Sequence, residues 1–360
     1  MTASALQKGA ADAMRKRLRL KPEGLVNLPP AKTAQRVRCV AACFALKFSH
    51  KNAPLCATML GSQCAALPKE SYMTATTRPL RSVLYIPGSK PRALDKARGL
   101  ACDAVIFDLE DAVSPEEKVA ARETLAEALA TGGYGARMRV VRINGLDTEW
   151  GVDDARAAAA MKPDAILLPK VGSPADLEAL TEIVGDIPLW AMMETPGAML
   201  NAAAIAGHRQ LQAMVMGTND LAKDLQTRFR PDRLPLITGL GLCLLAAKAH
   251  GVAIIDGVYN AFKDDDGLQA ECQQGRDMGF DGKTLIHPAQ LDSANAAFTP
   301  SEDEAALARR QIDAYEEAQA AGQGVAVVDG KIVENLHVAT ARETLAKLAA
   351  IAAMSPEPSP

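Results

Sequence analysis

The sequence predicts an α/β protein built on a closed (β/α)8 barrel of the TIM type, followed by a C-terminal helical and hairpin extension. Three observations lead there. From residue 81 onward, eight short β-rich runs alternate with helix-length stretches. The turn after the first run reads PGSK (87–90) rather than the glycine-rich nucleotide turn that an open doubly wound sheet announces. Charged residues also collect just past the ends of several runs, where a parallel barrel places its site.

The strands expected in order are SVLYI (82–86), AVIFD (104–108), RVVRI (139–143), AILL (165–168), LWAMM (189–193), AMVM (213–216), VAII (252–255) and KTLI (283–286). HPAQ (287–290) follows the eighth, then a long helix from about Pro300 to Gly322, a hairpin over 325–333 and a final helix. Asp329 and Gly330 form a favourable two-residue hairpin turn. The expected organisation is therefore an irregular basic extension over 1–72, a barrel over 73–298 and a C-terminal helical and hairpin segment over 299–360.

Residues 1–72 carry twelve lysines and arginines against three acids, a charge of +9, which leaves the rest of the chain at −12 against a whole-chain −3. An acidic body argues against nucleic acid as the main partner. Three readings compete for the basic segment: a targeting presequence, a zinc or disulfide element, and translated sequence upstream of a true start at Met73. Cys39, Cys43, Cys56 and Cys64 form no pair of CxxC motifs, which disfavours zinc, and the false start is the preferred reading. Cys102, Cys243 and Cys272 read as reduced core residues and fit a cytoplasmic protein. No run of about 18 apolar residues occurs, so no membrane span is expected.

PLWAMMET (188–195) and AMVMGTND (213–220) are the most informative stretches, since each apolar run leads to a carboxylate, Glu194 or Asp220. Two convergent oxygen ligands without cysteine or histidine suit a hard divalent cation, magnesium first, with manganese as a substitute. The competing reading makes each acid a helix N-cap. Arg142, at the end of the third strand, would meet a substrate carboxylate or a developing oxyanion, or else pair with Asp108, Glu110 or Asp111. Lys90, Arg92 and Lys96 supply positive charge for phosphate groups at the rim. His287 reads as a substrate contact or a rim residue, and Asp281 and Lys283 as shaping a turn. Trp150 reads as a packing anchor, and Lys170 is the candidate for a Schiff-base alternative.

RSVLYIPGS (81–89), FDLEDAV (107–113), VRINGLDTEWG (141–151), LLPKV (167–171), MET (193–195), GTND (217–220) and GFDGKTLIHP (279–288) resemble the HpcH/HpaI aldolase superfamily. The similar branch is that of citrate lyase β-subunits and malyl-CoA enzymes, and the resemblance runs from about Arg78 to Leu348. It implies a magnesium-dependent barrel acting on short hydroxyacyl-CoA thioesters. It also implies metal ligands at Glu194 and Asp220, substrate binding by Arg142, Asn219 and Asp220, and contacts from Tyr85, Lys90 and Lys96 to the CoA portion. It implies catalytic roles for Arg142 and Glu334; Glu110 and Asp111, at the end of the second strand, join the candidate catalytic set as carboxylates that orient the arginine and metal-bound water. In the lyases of this family a C-terminal lid from a neighbouring subunit delivers an aspartate; here Glu334 stands at that position, one methylene longer. A homo-oligomer with lid exchange follows. The expected reaction is hydrolysis of (S)-malyl-CoA to malate and CoA. The alternatives are carbon–carbon cleavage of malyl-, citramalyl- or citryl-CoA, and a non-catalytic CoA-ester-binding subunit.

Overall fold

The computed structural model describes residues 78–354, so the readings of residues 1–72 and of a start at Met73 lie outside the described residues. The barrel strands are β1 (Ser82–Pro87), β2 (Ala104–Asp108), β3 (Met138–Arg142), β4 (Ala165–Leu168), β5 (Leu189–Met193), β6 (Leu211–Met216), β7 (Ala253–Asp256) and β8 (Gly282–Leu285). They pair in parallel in sequence order, and β8 returns to β1 through Val83 and Thr284, which closes the barrel. Around it lie α1 (Pro91–Ala97), α2 (Lys118–Thr131), α3 (Gly151–Met161), α4 (Pro174–Val184), the short pair α5 (Pro196–Leu200) and α6 (Ala202–Ala206), α7 (Thr218–Asp224), α8 (Leu234–His250), α9 (Asp265–Met278) and α10 (Leu291–Phe298). None of the described helices is long and apolar enough to cross a membrane.

Alternation along each strand divides the core into two layers. Val83, Ala104, Ile106, Val140, Leu167, Trp190, Val215 and Ile255 fill the interior. Leu84, Val105, Phe107, Val141, Ile166, Met193, Met214 and Ile254 face the helices. Trp190 is fully buried, and its indole N–H donates to Gln212 Oε1 at 2.9 Å. Left unpaired, that group would cost roughly 1–3 kcal/mol.

β7 lies one residue later, and β8 one residue earlier, than the positions expected from apolar pattern. The Val252 N–H donates to Ala247 O at 2.9 Å and closes α8, so β7 begins afterwards. The Ile286 N–H donates to the Gln290 side chain at 2.9 Å, which ends β8 at Leu285. Gly282 opens β8 opposite Ile255, and the position is glycine because any Cβ there would collide with the Leu80 carbonyl.

The C-terminal extension comprises α11 (Glu302–Ala320), the hairpin β9 (Ala326–Val328) and β10 (Lys331–Val333), and α12 (Asn335–Met354). Asp329 and Gly330 take φ of 50° and 74°, as a primed two-residue turn requires. Tyr315, Ala318, Ala326, Val333 and Val338 make a small core of their own, separate from both barrel layers.

Candidate active site

Strand parity builds the site. Asp108 lies two residues beyond inward-facing Ile106, Arg142 two beyond Val140, and Glu194 two beyond Met192, so each side chain turns inward at the C-terminal end of the barrel. A cavity of about 290 Å³ opens there, lined by Tyr85, Asp108, Asp111, Arg142, Glu194, Asn219 and Asp220 with the apolar Met192, Met216, Val258 and Ile286. A second concavity, of about 310 Å³, lies among Asp186, Pro188, Arg209 and Gln210 near the starts of β5 and β6. It gathers no convergent carboxylates.

Arg142 is buried and takes both oxygens of Asp108, Nε to Oδ1 at 2.7 Å and Nη2 to Oδ2 at 2.6 Å. Its Nη1 lies 2.6 Å from Glu110 Oε2 and 3.5 Å from Asp111 Oδ2, and its guanidinium stacks 4.9 Å from the Tyr85 ring. Pairing with neighbouring carboxylates is therefore realised in full, and the guanidinium still lines the cavity. Burial opposes its charge, but the Asp108 carboxylate, with Glu110 beside it, outweighs that and raises its pKa further. Burial also raises the Tyr85 hydroxyl, which stays protonated. Asp108 in addition accepts the N–H groups of Glu110 and Ala112 at 2.8 and 3.0 Å, folding the DLEDA stretch into a tight turn.

Glu194 is buried, and burial followed by the nearby Glu110 pushes its carboxyl up to about 7. Its Oε1 accepts the Lys170 N–H at 2.7 Å. Gly217 makes room for it, since a Cβ there would stand 2.6 Å from Glu194 Oε2. Asp220 sits in the first turn of α7. Neither acid is an N-cap: Thr195 caps α5 by accepting the Ala198 N–H, and Gly217 holds that position on α7. Five carboxylates (Asp108, Glu110, Asp111, Glu194, Asp220) thus gather around two cations, Arg142 and Lys170.

Glu110 is buried, and desolvation raises its pKa. Its Oε2 touches Arg142 by charge without a hydrogen bond. This surplus of negative charge at poorly solvated oxygens fits a divalent cation. Among the described residues no three His, Cys, Asp or Glu side chains are grouped so as to hold a metal ion between them. Two carboxylates, with water and substrate in the other positions, are what a magnesium ion needs from a protein, and Glu194 and Asp220 are the pair that could supply them. Burial lowers the Lys170 pKa but Glu110 raises it more, so the ammonium stays charged, the wrong state for imine formation.

The remaining candidates lie elsewhere. Lys90 is ion-paired to Glu117 at 2.8 Å, and Lys96 is exposed on α1; neither lines the cavity. Asn219 does line it and exchanges amide hydrogen bonds with Asn260 at 3.2 and 2.8 Å. Glu334 is exposed at the end of the hairpin, outside the cavity of its own chain. His287 caps the turn after β8 by accepting the Ala289 N–H at 3.1 Å on Nδ1. Asp281 accepts the Ile254 N–H at 2.8 Å, a structural contact.

Sequence reasoning missed the scaffold under the site. Buried Lys118 donates to Leu109 O, Glu110 O and Asn144 Oδ1 at 3.2, 3.0 and 2.8 Å, and its ammonium sits 5.1 Å from the Trp150 ring. Asn144 is tied in turn to buried Asp154, which Arg122 holds from α2. Lys118 and Asp154 read as solvated helix residues because nothing in their local pattern differs from an exposed face.

A closed parallel barrel with an arginine and a carboxylate cluster at its C-terminal end defines a class of site in which an acidic substrate end meets a metal and a guanidinium. The chain belongs to the HpcH/HpaI aldolase/citrate lyase family, whose sequence profile matches residues 81–288. It is 67% identical over 281 residues to a (3S)-malyl-CoA thioesterase of Cereibacter sphaeroides, covering 78% of this chain and 99% of that protein. It is 35% identical to a citrate lyase subunit beta of Leuconostoc mesenteroides subsp. cremoris, covering 74% and 92%. Among solved structures it is similar to the protein CitE of Mycobacterium tuberculosis in complex with magnesium, acetoacetate and coenzyme A. That match has a TM-score of 0.65 and 29% identity, covering 76% of this chain and 99% of that one.

Proposed function

We propose that this protein hydrolyses (3S)-malyl-CoA to malate and CoA with magnesium. The observation that carries the reading is the 67% identity to a (3S)-malyl-CoA thioesterase across 99% of that protein's length, about twice the identity to the citrate lyase subunit. Glu194 and Asp220 would hold the cation, which supplies positive charge against the α-hydroxy acid end of the substrate. Arg142, fixed in orientation by Asp108, donates Nη1 to the same oxygens. Tyr85 supports the guanidinium face and, with Met192 and Met216, excludes water from one wall. Asn219 contacts the substrate beside them. Asp111, exposed at the rim, helps hold Arg142, while Lys90 and Lys96 beyond it serve the CoA portion and its approach.

Hydrolysis needs a base that takes a proton from water as the water oxygen adds to the thioester carbonyl; the C–S bond then breaks and the thiolate leaves. Glu334 is the base in this reading, delivered by the lid of a second copy, since its own chain holds it outside the cavity. Glu110 keeps Arg142 charged and placed.

The test follows free thiol and glyoxylate together, using purified protein, (S)-malyl-CoA and magnesium. Thiol without glyoxylate supports the hydrolase. Glyoxylate with acetyl-CoA and little thiol makes it a lyase, as the similarity to citrate lyase subunits would have it. Binding of CoA esters and magnesium without turnover of malyl-, citramalyl- or citryl-CoA makes it a binding subunit.

A further inference from the structure

Lys170 has no part in the mechanism above, yet two independent features single it out. It stands two residues past β4 with φ of 52°, a left-handed backbone in which glycine or asparagine is the ordinary occupant. It also holds two of the site's carboxylates with two different groups. Its backbone N–H donates to Glu194 Oε1 at 2.7 Å, and its Nζ donates to Glu110 Oε1 at 3.2 Å. Among the described residues no other donor reaches Glu194, so Oε2 is left beside Gly217, at the start of the helix that carries Asp220.

Glycine at position 170 would keep the N–H and relieve the backbone. What lysine adds is the ammonium, and the ammonium is spent on Glu110. We propose that Lys170 is a positioning residue that sorts the carboxylates: its backbone turns Glu194 so that Oε2 is free for the cation, and its ammonium, together with Arg142, keeps Glu110 away from that cation. Without the ammonium, Glu110 carries one positive partner fewer and becomes a competing third ligand, which binds magnesium more tightly and holds it in the wrong place.

The inference rests on the magnesium-hydrolase reading, and its test separates the two. Magnesium is titrated calorimetrically into the wild-type protein, Lys170→Gly, Lys170→Arg, Glu110→Gln and the Lys170→Gly/Glu110→Gln double variant, and thioester hydrolysis is measured in parallel. Lys170→Gly is expected to tighten magnesium binding at least about threefold, because Glu110 joins as a third carboxylate ligand, and to lower kcat more than it changes KM. Its thermal midpoint should not fall, because the backbone is relieved. Lys170→Arg should restore affinity and turnover, and in the Glu110→Gln background the glycine should no longer tighten binding. Lys170→Asn, which also tolerates this backbone, gives the same readout should the glycine variant not fold.

Unchanged affinity in Lys170→Gly, or tightening that persists with Glu110→Gln, overturns the assignment of Lys170. A wild-type protein that neither binds magnesium nor hydrolyses the thioester overturns the functional reading, and this inference with it.

Discussion

Glu194 shows how one position joins burial, charge and chemistry. Its burial raises the carboxyl to about 7, so in metal-free protein the folded state holds a proton that the unfolded chain releases near 4.5. A raised carboxylate pKa favours folding below the unfolded value, and that advantage is lost as pH climbs toward the folded value. In EDTA, the thermal midpoint should therefore fall between about pH 5 and 7 by an amount that Glu194→Gln abolishes and magnesium reverses. A midpoint with the same pH slope in both proteins would remove Glu194 as the source. With magnesium present, Glu194→Gln and Asp220→Asn should each lower kcat/KM by about a thousandfold or more, in keeping with the loss of a charge-stabilising ligand. Circular dichroism should be unchanged. Full activity in either variant would end the metal assignment. Glu194 was legible in sequence because an apolar run ends at it. The hydrogen bond to its Oε1 was not legible, because the donor comes from another strand's loop.

Parity does most of the sorting among the secondary-structure elements. Inward positions of β2, β3 and β5 end in Asp108, Arg142 and Glu194, whereas Asp256 and Lys283 fall on outward positions of β7 and β8. There they form a buried network with Arg233 and Glu271: Arg233 Nη1 reaches Asp256 Oδ2 at 2.7 Å, and Lys283 Nζ reaches Glu271 Oε1 at 2.6 Å. Lys283 also donates to Gly257 O at 2.6 Å, tying down the loop that carries cavity-lining Val258. Asp256 is fully buried, which alone would raise its pKa, but Lys283 and Arg233 outweigh burial and lower it. The stability that follows is present above the ordinary carboxylate range and is lost as pH falls through the lowered value. Asp256→Asn takes the fully buried carboxylate from between Arg233 and Lys283, leaving Glu271 alone to face both, and should cost roughly 3–5 kcal/mol in chemical denaturation. A loss below about 1 kcal/mol, the worth of an exposed pair, would show the network to be solvated.

The expected strands were each found within two residues at either end. The remaining error has a physical cause, since ladder partners and side chains such as Gln290 set the ends while apolar pattern marks only the middle.

At the scale of the whole molecule, the C-terminal extension is the part expected to act between copies. Its core of Tyr315, Ala326, Val333 and Val338 is independent of the barrel, and Glu334 at its hairpin end is exposed. Exchange between copies predicts complementation. Glu194→Gln and Glu334→Ala proteins, each inactive, should regain activity when co-expressed, reaching about one quarter of wild type for random mixing. A lid that served its own barrel would give no recovery. Deleting residues 1–72 should leave a folded protein with wild-type kcat/KM, because the expected barrel begins after them; loss of folding would refute the reading of that segment as upstream of a true start.

The sequence by itself determined the barrel, the order of its strands and the inward carboxylate, arginine and carboxylate at their ends. Alternation and run length are local properties, and a period of two assigns each residue to a face. Only the tertiary structure decided which charges meet. The pairing of Arg142 with Asp108, the clamp of Lys118 and Asn144, the two-handed hold of Lys170 and the placement of Glu334 outside its own cavity all depend on distances between segments dozens to hundreds of residues apart, and those distances exist only once the barrel has closed.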